Sequence, residues 1–252
     1  MVIISWIFSW IFIDKFIPAL ADRGTFGDKF GAINALFSGL AFAGVIYAIL
    51  LQRKELSLQR EELVLTRGEL EGQKKQLEAQ NKTFREQALQ NAFFQMLNFH
   101  NEIVKSLVLF DLGDDRYEGR ECFEVLYKKF DGNSRLNQSL KKYLSNHEFM
   151  KNRYMEFYSK YQGYLGHYFR NLYNIIKFIH TNDFHNKKYY TNLIRAQLSV
   201  YEMLLLFYNC EYGHGREKFK PFIVEYSLLN NIDLNLLLHQ QHADLFDKKA
   251  YA

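Results

Sequence analysis

Apolar positions fall into three regimes along the chain. From Phe30 to Leu51 no residue is charged, and the run stops abruptly at Gln52-Arg53-Lys54-Glu55. A helix over that stretch reaches roughly 30 Å, the thickness of a bilayer core, so 30–51 is predicted to span a membrane. The segment before it is less regular. Val2 to Ile13 is continuously apolar and carries Trp6 and Trp10, but Asp14-Lys15 interrupts it ahead of Phe16-Ile17-Pro18-Ala19-Leu20-Ala21. A dozen apolar residues reach only about 18 Å. That segment either spans with the charged pair at the far interface or lies tilted in the bilayer; a cleavable signal, with Ala19-Leu20-Ala21 as its small-x-small site, is the rival use. The expectation is a membrane hairpin over 1–51, with spans about 2–21 and 30–51 joined by a loop.

The second regime is a seven-residue repeat over 52–90. Leu56, Leu63, Leu70, Leu77 and Phe84 keep that period, and Gln59, Thr66, Gln73, Gln80 and Gln87 follow each of them three positions later. One column of the seam is apolar and the other amide or hydroxyl, the pattern of a weakened coiled coil. The stalk is therefore expected to self-associate, helped by the membrane segment that concentrates it. The competing use of the same column is packing on the chain's own C-terminal domain. Gly68 and Gly72 each cost about 1 kcal/mol of helix propensity and mark a soft point.

The third regime, 91–252, has helical periodicity throughout. Phe93, Met96, Leu97, His100, Ile103, Val104 and Leu107 lie on one face. A polar loop is expected from Asp111 to Gly119. Helices are expected near 120–130, 134–145, 147–162, 164–181, 187–209, 217–229 and 233–246. With no useful period-2 stretch, the fold class is all-α: a transmembrane hairpin, a long heptad-repeat helix and a helical bundle, with 164–181 and 187–209 at its centre. Met203-Leu204-Leu205-Leu206-Phe207-Tyr208 is apolar but short and preceded by Arg195 and Glu202, so it reads as core rather than membrane.

Composition changes this picture little. The 252 residues carry a formal net charge of +4, too weak without a patch to argue for nucleic acid, which is left open as a partner. Two cysteines, Cys122 and Cys210, exclude a disulfide scaffold and a four-cysteine zinc site. Charge asymmetry orients the membrane segment: Arg53, Lys54, Arg60 and Arg67 follow the span, whereas Arg23 and Lys29 before it are offset by Asp22 and Asp28. The positive-inside rule then puts everything after Leu51 in the cytoplasm.

Candidate chemistry is sparse. Gly31, Ala35, Gly39 and Ala43 recur every four residues, a face on which another helix can approach closely, with Asn34 and Ser38 one turn apart beside it. That polar pair serves either as glue between helices or as the lining of a pore between subunits. Inside the central helices stand His167, Arg170, Tyr173, Arg195, Gln197, Ser199, Glu202 and Asn209, a structural network or a ligand site in which Glu202 is the expected acid for Arg170 or Arg195. No glycine-rich phosphate loop, HExxH or CxxC occurs, and no arginine is followed at four to six residues by histidine, as in small helical RNase toxins. His239 and His242 could present two ligands on one face but lack a visible third. No catalytic residue, cofactor or metal is assigned.

Several blocks together resemble the phage abortive infection proteins of the AbiC-like family. They are Phe26-Gly27-Asp28-Lys29-Phe30 running through Gly44 into Leu51-Gln52-Arg53-Lys54-Glu55-Leu56; Phe93-Phe94 with His100; Gly166-His167-Tyr168-Phe169-Arg170-Asn171-Leu172-Tyr173; and Leu193-Ile194-Arg195-Ala196-Gln197-Leu198-Ser199 with Glu202 and Asn209. The resemblance implies bacterial anti-phage defence at the expense of the infected cell, without supplying a chemistry. The function expected is a membrane effector in the bacterial inner membrane that oligomerises and perturbs the bilayer on infection. The alternatives are a tethered scaffold for another defence component and an anchored nuclease or nucleotide-acting domain. The expected partners are further copies of the chain, the lipid bilayer, and a partner defence protein or phage component.

Overall fold

The computed structural model describes residues 7–8, 10–12, 15–16, 20–110, 115–132 and 142–252. It is largely helical and resolves into two compact units, Met1–Ala79 and Gln80–Ala252. Helix α1 (Leu20–Lys105) contributes to both.

In the first unit the apolar run lies on α1, as the length of its uncharged stretch predicts, and the expected 22–29 loop is helix as well. Among the described residues one helix is long and apolar enough to cross a membrane, with none of its apolar window buried. The companion span over 2–21 lies largely outside the described residues, so the hairpin is reduced here to that one helix. Downstream, the five heptad residues from Leu56 to Phe84 are each 54–59% exposed in the single chain. Glu71 and Lys75 pair at 3.2 Å one turn apart, an exposed contact worth a few tenths of a kcal/mol.

In the second unit the C-terminal turns of α1 bury Phe93, Leu97, His100 and Val104, and Leu107 just past its end is buried with them, on the face read from the sequence. The expected polar loop 111–119 is flanked by β1 (Val108–Phe110) and takes in β2 (Arg116–Glu118), an antiparallel pair in register Leu109 opposite Tyr117. Three residues are too few for alternation to register as a pattern. Helix α2 (Glu121–Asp131) buries Cys122, Phe123, Leu126, Tyr127 and Phe130, and ends at Gly132, whose φ of 50° gives the left-handed stop. The helix expected at 134–145 falls mostly on 133–141, outside the described residues.

Helix α3 (His147–Thr181) is a single element where two were expected, and Gly163 sits inside it. Its buried stripe from Met150 to Ile179 outweighs the roughly 1 kcal/mol that a mid-helix glycine costs. The reverse holds at 187–209, expected as one helix and found as α4 (Lys187–Arg195) and α5 (Val200–Tyr212). Ser199 breaks it. Its hydroxyl accepts from the Glu202 N–H, while the Glu202 carboxylate accepts from the Ser199 N–H at 2.7 Å, a capping box that starts a new helix.

Every residue of α5 from Glu202 to Tyr212 is buried, which makes it the centre of the domain. Phe130 of α2 meets Tyr154 and Phe157 of α3 and Tyr208 of α5, with ring centroids 5.0–5.5 Å apart. Beyond α5, the expected helix 217–229 is shortened to α6 (Lys220–Glu225), and Ser227 turns the chain at φ 52°. The expected helix 233–246 is replaced by short 3-10 turns at Leu234–Leu236, Gln240–Leu245 and Lys248–Tyr251. Asp233, His239 and Asp247 cap these turns by accepting a backbone N–H two residues on, which restarts the chain before an α-helix can propagate.

Candidate functional site

The polar residues singled out in the central helices separate into three places. Gln197 and Ser199, both half-buried, cluster around the buried Glu202. Arg195 donates to the Ser227 carbonyl at 3.2 Å. Arg170, Tyr173 and Asn209 line a pocket, and His167 stands exposed next to it, its Nδ1 3.4 Å from an Arg170 Nη2.

In the first of these clusters Glu202 pairs with neither Arg170 nor Arg195. Its partner is Arg120, which precedes α2 and reaches it through Nε at 3.3 Å while donating to the Gln197 carbonyl at 2.8 Å. Fold-level packing decided this, since 82 residues separate the pair. His100 lies against Tyr168, ring centroids 4.9 Å apart, and its Nδ1 accepts from the Asn171 amide at 3.2 Å. Burial, and then the Arg120 charge, push the His100 pKa down to about 4. Tyr168 is pushed well above the ordinary tyrosine range by burial and then by the Glu202 carboxylate. One Glu202 oxygen, the Tyr168 hydroxyl and His100 Nε2 are buried without a hydrogen-bond partner. Arg120 also forms part of an open groove of roughly 880 Å³ with Asn98, Asn101, Lys105 and Gln197.

The two-histidine motif is used for structure. His242 Nε2 donates to the Leu144 carbonyl at 2.7 Å, which fixes the tautomer and leaves Nδ1 to accept from the Tyr208 hydroxyl at 3.0 Å. Tyr208 in turn accepts from the Leu238 N–H at 2.8 Å. Both ring nitrogens are therefore committed to the protein. Burial raises the pKa of both thiols, Cys210 the more strongly, which removes the thiolate character that reactive cysteines need.

The pocket brings together the largest share of the polar residues singled out in the sequence: Arg170, Tyr173 and Asn209. It is a cavity of roughly 330 Å³ between the middle of α3 and the loop after α5. Gly166, Phe169, Arg170, Tyr173 and Asn174 come from α3; Asn209 comes from α5; His214, Gly215, Lys218 and Phe219 come from the loop. Two glycines hold that loop against α5. A Cβ on Gly215 would lie 2.6 Å from Asn209 Oδ1 and 2.8 Å from Cys210 Sγ, and one on Gly213 would lie 2.5 Å from Tyr154 Cε1. The Gly213 and Gly215 N–H groups both donate to the Asn209 carbonyl, while its side-chain amide donates to the Tyr154 hydroxyl at 2.9 Å. No carboxylate is among the lining residues, whereas Arg170, Lys218 and His214 are. Such a lining favours anions. Sequence reasoning found Arg170, Tyr173 and Asn209 but missed Asn174, His214 and Lys218. The glycine-flanked histidine Gly213-His214-Gly215, directly after the most apolar helix, was the signal available.

Comparison with curated proteins and with solved structures found no match. A family model matches part of the chain, taking in the resemblance blocks Gly166–Tyr173 and Leu193–Asn209 and leaving out those at Phe26–Leu56 and Phe93–His100. Residues 160–237, which contain every lining residue of the pocket except Tyr158, match the family described as "Putative phage abortive infection protein", and phage abortive infection is the role that match suggests.

Proposed function

We propose that this chain is a membrane-anchored effector of abortive infection in the bacterial inner membrane. It self-associates through the 52–90 heptads and perturbs the bilayer through the 30–51 segment, while the helical domain faces the cytoplasm and responds to infection. The observation that carries this reading is an apolar helical window of which no part is buried, continuous with a heptad column left more than half exposed. Water is a poor solvent for both. Lipid satisfies the first, each central Leu, Ile or Phe contributing about 0.3–0.6 kcal/mol on insertion, and a second copy of the helix satisfies the column.

The small-residue face suits the same reading. Gly31, Ala35, Gly39 and Ala43 are exposed, and beyond the helix's own nearby backbone no atom lies within 4 Å of a Cβ built on Gly31 or Gly39. A neighbouring helix could approach there, placing Asn34 and Ser38 at the contact.

The test is membrane potential, followed with a voltage-sensitive dye in infected cells. The intact protein should collapse the potential before lysis. A Leu63→Asn/Leu70→Asn variant should lose both the collapse and its oligomers in detergent. Growth arrest with the potential intact would sink this mechanism.

A further inference from the structure

We propose that the pocket between α3 and the Gly213–Phe219 loop binds a small nucleoside phosphate, held by its phosphate on Arg170 and Lys218 and by its base on the aromatic wall. The cations are available for this. Arg170 Nε donates to the Gly166 carbonyl at 3.0 Å, which sets the plane of the guanidinium. Its Nη1 makes no hydrogen bond among the described residues, so a fixed donor edge is left for an anion. Lys218 is exposed and has no ion pair among the described residues, and the exposed His214 meets Tyr158 edge-on at 5.2 Å. Arginine with a second cation and no carboxylate in the lining is the usual arrangement for a phosphate oxygen fork.

The rest of the wall argues against a bare anion. Tyr158, Phe169 and Tyr173 give the cavity an apolar aromatic side that inorganic phosphate has no use for. Tyr173 stacks on Phe222, ring centroids 5.9 Å apart and planes 25° apart. Aromatic surface of this kind takes a nucleobase at about 1–3 kcal/mol per stacked base. The Asn174 side chain, exposed and without a hydrogen-bond partner among the described residues, adds an amide able to pair with a base edge. At roughly 330 Å³ the cavity sits at the small end of ligand pockets, which suits one nucleotide rather than a polymer.

Binding is read on the full-length chain in detergent, by equilibrium dialysis against AMP, GMP, CMP and UMP, with adenosine, inorganic phosphate and a tetranucleotide RNA as comparisons. At least one mononucleotide should bind below about 1 mM. Adenosine and inorganic phosphate should each bind at least about tenfold more weakly, since each forfeits one half of the contacts. Lys218→Ala should weaken nucleotide binding about tenfold; Lys218 is exposed and makes no hydrogen bond or ion pair among the described residues, so this variant remains informative if Arg170→Gln is unstable. Tyr173→Leu should do the same without affecting phosphate. The proposal is overturned if no mononucleotide binds, if phosphate alone binds as well as the nucleotide, if only the RNA binds, or if Lys218→Ala changes nothing. The readout is binding, so it stands or falls separately from membrane perturbation.

Discussion

The buried histidine His100 makes the stability of the helical domain depend on pH in a calculable way. In the neutral ring Nδ1 accepts from the Asn171 amide, so the proton sits on Nε2, which is buried and unpartnered. A second proton would have to enter at Nδ1, against an amide donor and beside the Arg120 cation. The folded pKa is accordingly about 4, against 6.5 for a solvated histidine. Between those values the unfolded chain binds a proton that the folded chain refuses. The stabilisation is therefore complete above pH 6.5 and is lost as pH falls toward 4, about 3 kcal/mol in all at 1.36 kcal/mol per pH unit. At pH 5 roughly 2 kcal/mol of it is gone. His100→Gln keeps an acceptor for Asn171 and removes the titration. Denaturant unfolding of the full chain in mild detergent, followed by circular dichroism, should show the variant gaining about 2 kcal/mol on the wild type between pH 7.5 and pH 5. His242, whose pKa is also lowered by burial, titrates in the same direction and remains in both proteins, so it cancels in the comparison. If the gap between variant and wild type stays constant across that range, His100 is not the group refused a proton and the reasoning is wrong.

Two further perturbations probe the walls of the domain. Glu211 is buried and bonded to Lys220, whose ammonium also donates to the Leu245 carbonyl at 2.8 Å. Lys220→Met should therefore destabilise the fold by about 3–5 kcal/mol by stranding a buried carboxylate, and adding Glu211→Gln should restore much of that loss in the same unfolding assay. Gly215→Ala should cost about 1–3 kcal/mol, because its Cβ would meet Asn209 Oδ1 at 2.6 Å. By displacing the loop it should also weaken nucleotide binding in dialysis more than its stability loss explains.

Local periodicity was enough to read several elements of this protein. The uncharged run Phe30–Leu51, the heptads from Leu56 to Phe84, the buried face Phe93–Leu107 and the apolar α5 each announce themselves within a few turns of helix, because 3.6-residue and 7-residue spacing is a property of neighbours in the chain. The all-α class followed from them. Sequence also singled out Arg170, Tyr173 and Asn209 as polar groups in an apolar setting, the residues that now stand together in one pocket.

Tertiary structure decided what those groups do. Helix 187–209 breaks at Ser199 because a capping box between Ser199 and Glu202 outcompetes continuous apolar spacing. Two expected helices join across Gly163 because the buried stripe of α3 runs through both. Glu202 finds Arg120 rather than a basic residue on its own helices, and Arg170, without a carboxylate partner among the described residues, lines a cavity with Lys218. Charges are paired by distance in space. The chain brings residues 82 apart in sequence to 3.3 Å only once the core around Phe130 and Tyr208 has closed, and no spacing rule carries that information.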